Sequence, residues 1–116
     1  MTDTTIIPRV KGDAVVLEFN GKLNIGSGDW LLRESILKQL EEGHRNIILD
    51  ARNMRTIDSS GIGELITAYT TITSAGGTFK LAGLKGKPLE GLNEIGLIHA
   101  FDVYPTTEDA LSALKQ

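Results

Sequence analysis

The sequence NIILD at residues 46–50 is followed, after a loop, by DSSGIG at residues 58–63. The first stretch is short, nearly all apolar and flanked by turn-forming residues, as is typical of a central strand covered on both faces. After the second, apolar residues recur at helical spacing until Gly76 and Gly77 end the pattern. That stripe contains Ile62, Leu65, Ile66, Tyr69 and Ile72. The region therefore predicts a buried strand, a loop, and an amphipathic helix that ends near Ala75.

A hairpin is predicted near the start of the chain, with strands at residues 5–10 and 13–19. Lys11-Gly12-Asp13 suits the turn between them, because glycine accepts a positive φ. Pro8 has no N–H to donate to a neighbouring strand, so the first strand is expected at an edge of the sheet. Residues 20–28 contain three glycines and are predicted to form a loop.

Helices and strands alternate along the rest of the chain. A helix is predicted at residues 29–42, with its inward stripe at Leu32, Ile36, Leu37 and Leu40 and with Gly43 after its end. Later patterns predict a strand at 78–82, a helix at 88–95, a strand at 101–104 and a helix at 107–114. The order ββαβαβαβα predicts an α/β fold with four helices and a mixed, mostly parallel sheet, in one domain over residues 1–116.

Composition narrows the function classes. The 116 residues include no cysteine, which excludes disulfides and fits a reducing, cytoplasmic setting. Apolar runs are far shorter than the ~20 residues that span a bilayer, so no membrane association is expected. The net charge is −3 and no basic stripe is visible, which argues against nucleic-acid binding. The short polar edge strand favours a monomer.

The Asp58-Ser59-Ser60-Gly61 sequence allows two interpretations. Aspartate or serine before a helix caps its free N–H groups, contributing about 1 kcal/mol. Alternatively, one serine is a phosphoacceptor, because the partial positive charge of a helix N-terminus accommodates a phosphoryl group. A partner packed on this helix start would then have to desolvate a dianion, which is costly.

The whole chain resembles the STAS domain of bacterial anti-sigma factor antagonists. Three features carry the resemblance: the strand and loop from Ile47 to Ile57, the stretch Asp58–Gly63, and Ala75-Gly76-Gly77 before a strand. The resemblance implies phosphorylation at Ser59, the serine directly after the aspartate, whereas Ser60 stays unmodified. The partner-binding residues that it implies are Asp58, Ser59, Ser60, Gly61, Ile62, Glu64 and Asn24.

The resemblance also implies partners. The unphosphorylated antagonist captures a serine-kinase anti-sigma factor of the histidine-kinase-like ATPase fold and frees the sigma factor. Phosphorylation releases the antagonist, and a metal-dependent phosphatase restores it. ATP belongs to the kinase, so the chain itself is expected to need no cofactor and to be no enzyme.

The chain departs from the best-known members of that family in one loop. Those members have Gly-Glu-Leu/Ile-Asp there, whereas this chain has Gly21-Lys22-Leu23-Asn24. Asn24 removes one acidic group from the expected contact surface. The loop Gly21–Trp30 is expected beside Asp58.

Two further side chains, Trp30 and Glu64, each allow two roles. Trp30 is expected to pack in the core, with partner contact as the alternative. Glu64 is expected on solvated helix surface, with contact to the kinase as the alternative. Gly26-Ser27-Gly28 lacks the Walker pattern, which argues against a phosphate-binding loop. His44 and His99 lack metal-ligand spacing, so no metal site is expected at them.

Three other function classes are compatible with parts of the sequence. A scaffold STAS domain that binds other STAS chains, as in a stressosome, would use the same serine region without a phosphorylation switch. A response-regulator receiver would use Asp50 and Lys87, but the acid pair that holds its Mg²⁺ is missing after the first strand. An enzyme would need an acid-base constellation, and none is visible outside Asp58 and the two serines.

Overall fold

The structure is a computed structural model that describes residues 4–115, so residues 1–3 and 116 of the predicted domain lie outside the described part. The strands are β1 (Thr5–Lys11), β2 (Ala14–Leu23), β3 (Asn46–Ile57), β4 (Thr78–Ala82) and β5 (Asp102–Tyr104). The helices are α1 (Ser27–Glu41), α2 (Ser59–Ser74), α3 (Gly86–Glu94) and α4 (Thr107–Ala113), with a short 3-10 turn at Ile98–Ala100. The predicted order ββαβαβαβα is confirmed.

The five strands form one mixed sheet in the order β1-β2-β3-β4-β5. The β1 strand pairs with β2 in antiparallel register, from Thr5 opposite Asn20 to Lys11 opposite Ala14. The other three pairs are parallel. Pro8 therefore lies on an edge strand, as its missing N–H predicted. Parallel strands bring the starts of α1, α2 and α3 to one edge of the sheet, after the ends of β2, β3 and β4.

Apolar side chains cover both faces of β3, which explains its nearly all-apolar sequence. Ile47 and Leu49 point into the main core, against apolar residues of α1, α2 and α3. Ile48 points to the other face, into a smaller cluster with Ala110 of α4. No helix within residues 4–115 combines the length and the apolar character needed to cross a membrane.

The strands β2 and β3 extend further than the sequence predicted. Residues 20–23, expected in a loop, continue β2, because they pair with β3 from Asn20 opposite Asn53 to Leu23 opposite Ile57. Two register shifts interrupt this pairing, one between Glu18 and Asn20 and one between Gly21 and Lys22. Such irregularities bend a strand without ending it. The connection to α1 is consequently short, and α1 begins at Ser27, two residues earlier than predicted.

Four large apolar side chains expected to point inward are exposed instead: Trp30, Leu37, Ile66 and Tyr69. The buried stripe of α1 contains Leu32, Ile36 and Gln39, and Trp30 and Leu37 lie off it. Trp30 is 58% exposed, so the expectation that it packs in the core is wrong. Trp30 lies two residues before Leu32, which places it on the opposite side of α1. No element of the described chain covers the indole there.

Candidate functional site

Asp58 directly follows β3 and caps α2. Its backbone is extended, and its Oδ1 accepts a hydrogen bond from the Gly61 N–H at 2.8 Å. Its carbonyl oxygen accepts from the Ile62 N–H at 2.9 Å, which is the first hydrogen bond of the helix. The capping interpretation of the Asp-Ser-Ser-Gly sequence is therefore correct for Asp58, and it leaves both serines to be explained.

The same aspartate joins α2 to the segment between β2 and α1. The other carboxylate oxygen of Asp58 accepts from the Ile25 N–H at 3.1 Å, and the Asp58 N–H donates to the Leu23 carbonyl at 3.2 Å. The segment Gly21–Trp30, expected as a loop but formed in part by β2 and α1, accordingly contacts Asp58 through Leu23 and Ile25, as the sequence predicted. One carboxylate thus fixes both the first turn of α2 and the neighbouring segment.

Two glycines allow the helices to start against the end of β2. A Cβ atom on Gly61 would lie 2.2 Å from the Leu23 carbonyl oxygen, and one on Gly28 would lie 2.2 Å from the Lys22 carbonyl oxygen. Both distances are shorter than any side-chain contact, so only glycine fits at these positions. Gly61 therefore has a packing role that is independent of any contact with a partner.

The adjacent serines occupy different environments. Ser59 is the first residue of α2, and it is exposed. Ser60 is half-buried, and its hydroxyl donates a hydrogen bond to Oδ2 of Asp29 on the first turn of α1. Only the first serine is freely accessible to another protein.

Asp29 was missed as a site residue. It is 7% exposed, and its N–H donates to the Asn24 carbonyl at 3.1 Å. Burial raises the pKa of its carboxyl above the usual 3.8, and the Ser60 hydroxyl counteracts that rise. The negative charges of Asp58 and Glu64 raise the pKa further. The sequence did contain a signal for the burial of Asp29. The residue lies three positions before Leu32 and seven before Ile36, and so falls on the inward stripe of α1.

Glu64 is buried, so the expectation of a solvated side chain is wrong. It is 7% exposed and forms an ion pair with Arg33 of α1, whose own side chain is largely exposed. Glu64 lies four residues before Ala68 and eight before Ile72, and both of those residues are also buried. This spacing was the signal for burial, and an ion pair is the usual way to bury a carboxylate.

The remaining predicted binding residues surround Ser59 but are less open. Asn24 is half-buried, as is Asp58, whereas Gly61 and Ile62 are buried. The large exposed apolar side chains nearby are those of Ile25, at 79%, and Trp30. The structure thus brings the predicted residues to one edge of the sheet, where Ser59 and Ile25 are exposed and the Ile25 N–H is bound to Asp58.

Asp50 lies on the other face of the sheet, in the register that pairs it with Ala82 near α4. It is buried, and both of its carboxylate oxygens accept hydrogen bonds from the Arg52 guanidinium at 2.9–3.1 Å. This ion pair gives Asp50 a structural role. Within residues 4–115, no group of three or more His, Asp or Glu side chains is placed to hold a metal ion.

Known proteins resemble this chain over nearly its full length. The sequence model described as "STAS domain" matches residues 4–110. A Thermotoga maritima protein, provisionally named an anti-sigma factor antagonist, is 25% identical over 108 residues, which are 93% of this chain and 96% of that protein.

Solved structures agree with the fold. A crystal structure of an anti-sigma factor antagonist from Thermotoga maritima, also a provisional name, superposes with a TM-score of 0.86 at 25% identity, over 96% of this chain and 95% of that one. The Bacillus cell fate determinant SpoIIAA, solved in its phosphorylated form, has a TM-score of 0.70 at 20% identity, over 96% of this chain and 98% of that one. At that identity the second likeness concerns the fold alone. Because the family model spans most of its length, the chain belongs to the STAS domain family, alongside relatives named as anti-sigma factor antagonists.

Proposed function

We propose that this protein is an anti-sigma factor antagonist whose partner binding is switched by phosphorylation of Ser59. The unphosphorylated chain binds a serine-kinase anti-sigma factor and frees the sigma factor. Phosphorylation of Ser59 by that kinase releases the chain, and a metal-dependent serine phosphatase restores it. The protein acts in the cytoplasm as a monomer, and the nucleotide belongs to the kinase.

The observation that carries this proposal is the position of Ser59. Its side chain is exposed at the first residue of α2, while Asp58 supplies the cap. A phosphoryl group on Ser59 can therefore point into solvent while both hydrogen bonds of the Asp58 carboxylate persist. The positive end of α2 favours the added charge by about 0.3–1 kcal/mol. SpoIIAA, which has the same fold, has been solved in a phosphorylated form.

Release follows from desolvation rather than from a change of fold. The phosphoserine carries a charge of about −1.5 to −2 at pH 7. A partner seated on Ser59 would have to remove water from that charge next to the carboxylate of Asp58. Ile25, whose N–H donates to the Asp58 carboxylate, and Trp30 on the first turn of α1 offer exposed apolar area to such a partner. Aromatic side chains commonly dominate interface energies. Binding and modification thus compete for one surface.

The proposal is tested by capture on two immobilised variants, in lysate of the source organism. Ser59→Ala should retain an ATP-binding serine kinase, and Ser59→Glu should retain at least about tenfold less, a factor that corresponds to about 1.4 kcal/mol. Ser112→Glu is the matched control, because Ser112 is exposed on α4, away from the site. The purified captured protein must also phosphorylate the wild-type chain from ATP.

Equal retention by Ser59→Ala and Ser59→Glu would contradict the switch. If the retained proteins were further STAS chains without kinase activity, the scaffold hypothesis would replace it.

A further inference from the structure

The two serines of the motif differ in one contact that the switch does not require. The Ser60 hydroxyl donates to Oδ2 of Asp29, whereas the Ser59 side chain is exposed. Asp29 is itself fixed, because its N–H donates to the Asn24 carbonyl at 3.1 Å. The hydrogen bond therefore connects the first turn of α1 to the first turn of α2.

The buried carboxylate of Asp29 is stabilised by the hydrogen bond from Ser60. Asp29 is 7% exposed, and its Oδ1 is buried with no hydrogen-bond partner among residues 4–115. Burial raises the pKa of Asp29, while the Ser60 hydroxyl lowers it. A buried carboxylate that lost the Ser60 hydroxyl would lose part of what compensates its desolvation.

The two serine hydroxyls differ in how readily they can take part in phosphoryl transfer. The serine Oγ attacks the γ-phosphorus of ATP, so an Oγ–P bond forms while the bond to the bridging oxygen of the departing ADP breaks. The hydroxyl proton passes to a base on the kinase. At Ser60 that proton is engaged with Asp29, and the oxygen is half-buried. At Ser59 the hydroxyl is open to a kinase.

Charge adds to this difference. A phosphoryl group on Ser60 would lie against the Asp29 carboxylate, which already interacts unfavourably with Asp58 and Glu64. Arg33, which forms an ion pair with Glu64, offsets only part of this repulsion through its own favourable interaction with Asp29. Like charges at such close range disfavour both the incoming γ-phosphate and the dianionic product.

We propose that Asp29 is a positioning residue that withholds Ser60 from the kinase and so confines phosphorylation to Ser59. This inference rests on the proposed function and adds a determinant of site choice to it. Asp29 need not touch the kinase, since it acts through the Ser60 hydroxyl.

The test uses purified variants, ATP and lysate of the source organism, with the modified serine located by tandem mass spectrometry. In a Ser59→Ala background, Asp29→Ala removes the carboxylate and should raise phosphorylation of Ser60 by about tenfold or more, the lower end of what a hydrogen bond to a charged group contributes. Asp29→Asn removes the charge but keeps an oxygen that can accept from Ser60, so its rise should be smaller. Asp109→Ala, at an exposed acid on the first turn of α4, is the matched control and should cause no rise.

Each other outcome decides against a specific statement. If wild type is phosphorylated at Ser59 but Ser60 stays unmodified in both Asp29 variants, the role of Asp29 is refuted and the switch stands. That role is also refuted if Ser60 is modified in Ser59→Ala alone as fast as Ser59 is in wild type. Wild type that gains no phosphoryl group refutes the proposed function, and the inference with it. Should Asp29→Ala fail to fold, the Asp29→Asn result decides.

Discussion

Replacing Gly61 by alanine would place a methyl group 2.2 Å from the Leu23 carbonyl oxygen and 3.0 Å from Cγ1 of Ile57. The nearest atom belongs to the backbone, so no side-chain rotation relieves the contact, and α2 must shift from the end of β2. Overpacking of this kind costs about 1–3 kcal/mol, and a backbone contact belongs at the upper end. Alanine recovers about 1 kcal/mol through its higher helix propensity. We therefore expect a net loss of about 2 kcal/mol.

Gly63→Ala is the matched control in the same turn of α2. A Cβ there has no atom within 4 Å, so only the helix propensity changes, and we expect a gain of about 0.5–1 kcal/mol. Urea unfolding followed by circular dichroism measures both. With a slope of about 2 kcal/mol per molar, the Gly61→Ala midpoint should fall by about 1 M, and the Gly63→Ala midpoint should rise slightly. A Gly61→Ala chain as stable as Gly63→Ala would refute the close approach of α2 to Leu23.

Three further predictions follow from the same edge of the sheet. Trp30→Ala should change the free energy of unfolding by less than about 0.5 kcal/mol, because Trp30 is exposed, and it should weaken kinase capture. Leu32→Ala, at a fully buried position, should cost about 2–5 kcal/mol of stability. Urea titration measures the stability of both variants, and capture measures the binding. Burial raises the pKa of Asp29, so the folded chain holds that proton to higher pH than the unfolded chain. The stability contributed by its protonation is complete below the ordinary pKa of 3.8 and is lost as pH rises above it. The free energy of unfolding of Asp29→Asn should therefore increase relative to that of wild type as the pH of the unfolding titration is raised above 3.8. Asp58→Ala removes the acceptor for the Gly61 and Ile25 N–H groups and should cost about 1–2 kcal/mol, with faster hydrogen exchange at the Ile25 amide, whereas Asp58→Asn should lose less.

The sequence was most informative where one residue dictates one local geometry. Pro8 requires an edge position, the hairpin at Gly12 needs a positive φ, and Asp58 caps the helix that follows it. These are local constraints, and the apolar run at residues 46–50 adds burial on both faces. The antiparallel edge formed by β1, the central position of β3 and the place of the serine motif at a helix start agree with these constraints.

The errors concern contacts between elements that are distant in sequence. Glu64 is buried because Arg33 on another helix neutralises it, and Trp30 is exposed because no described element covers its side of α1. The extension of β2 to Leu23 depends on pairing with Ile57, which no local pattern encodes. The burial of Asp29 was predictable from its stripe, but the hydrogen bond with Ser60 was not.

We expect Ser59 to take a single phosphoryl group and thereby to switch partner binding. The phosphorylation is measured by intact mass after incubation with ATP and lysate of the source organism, on wild type, Ser59→Ala and Ser60→Ala. We predict one mass gain of about 80 Da, the mass of a phosphoryl group, that persists in Ser60→Ala and disappears in Ser59→Ala. A gain that persists in Ser59→Ala, or no gain in wild type while the captured kinase is active, would rule out a switch at Ser59.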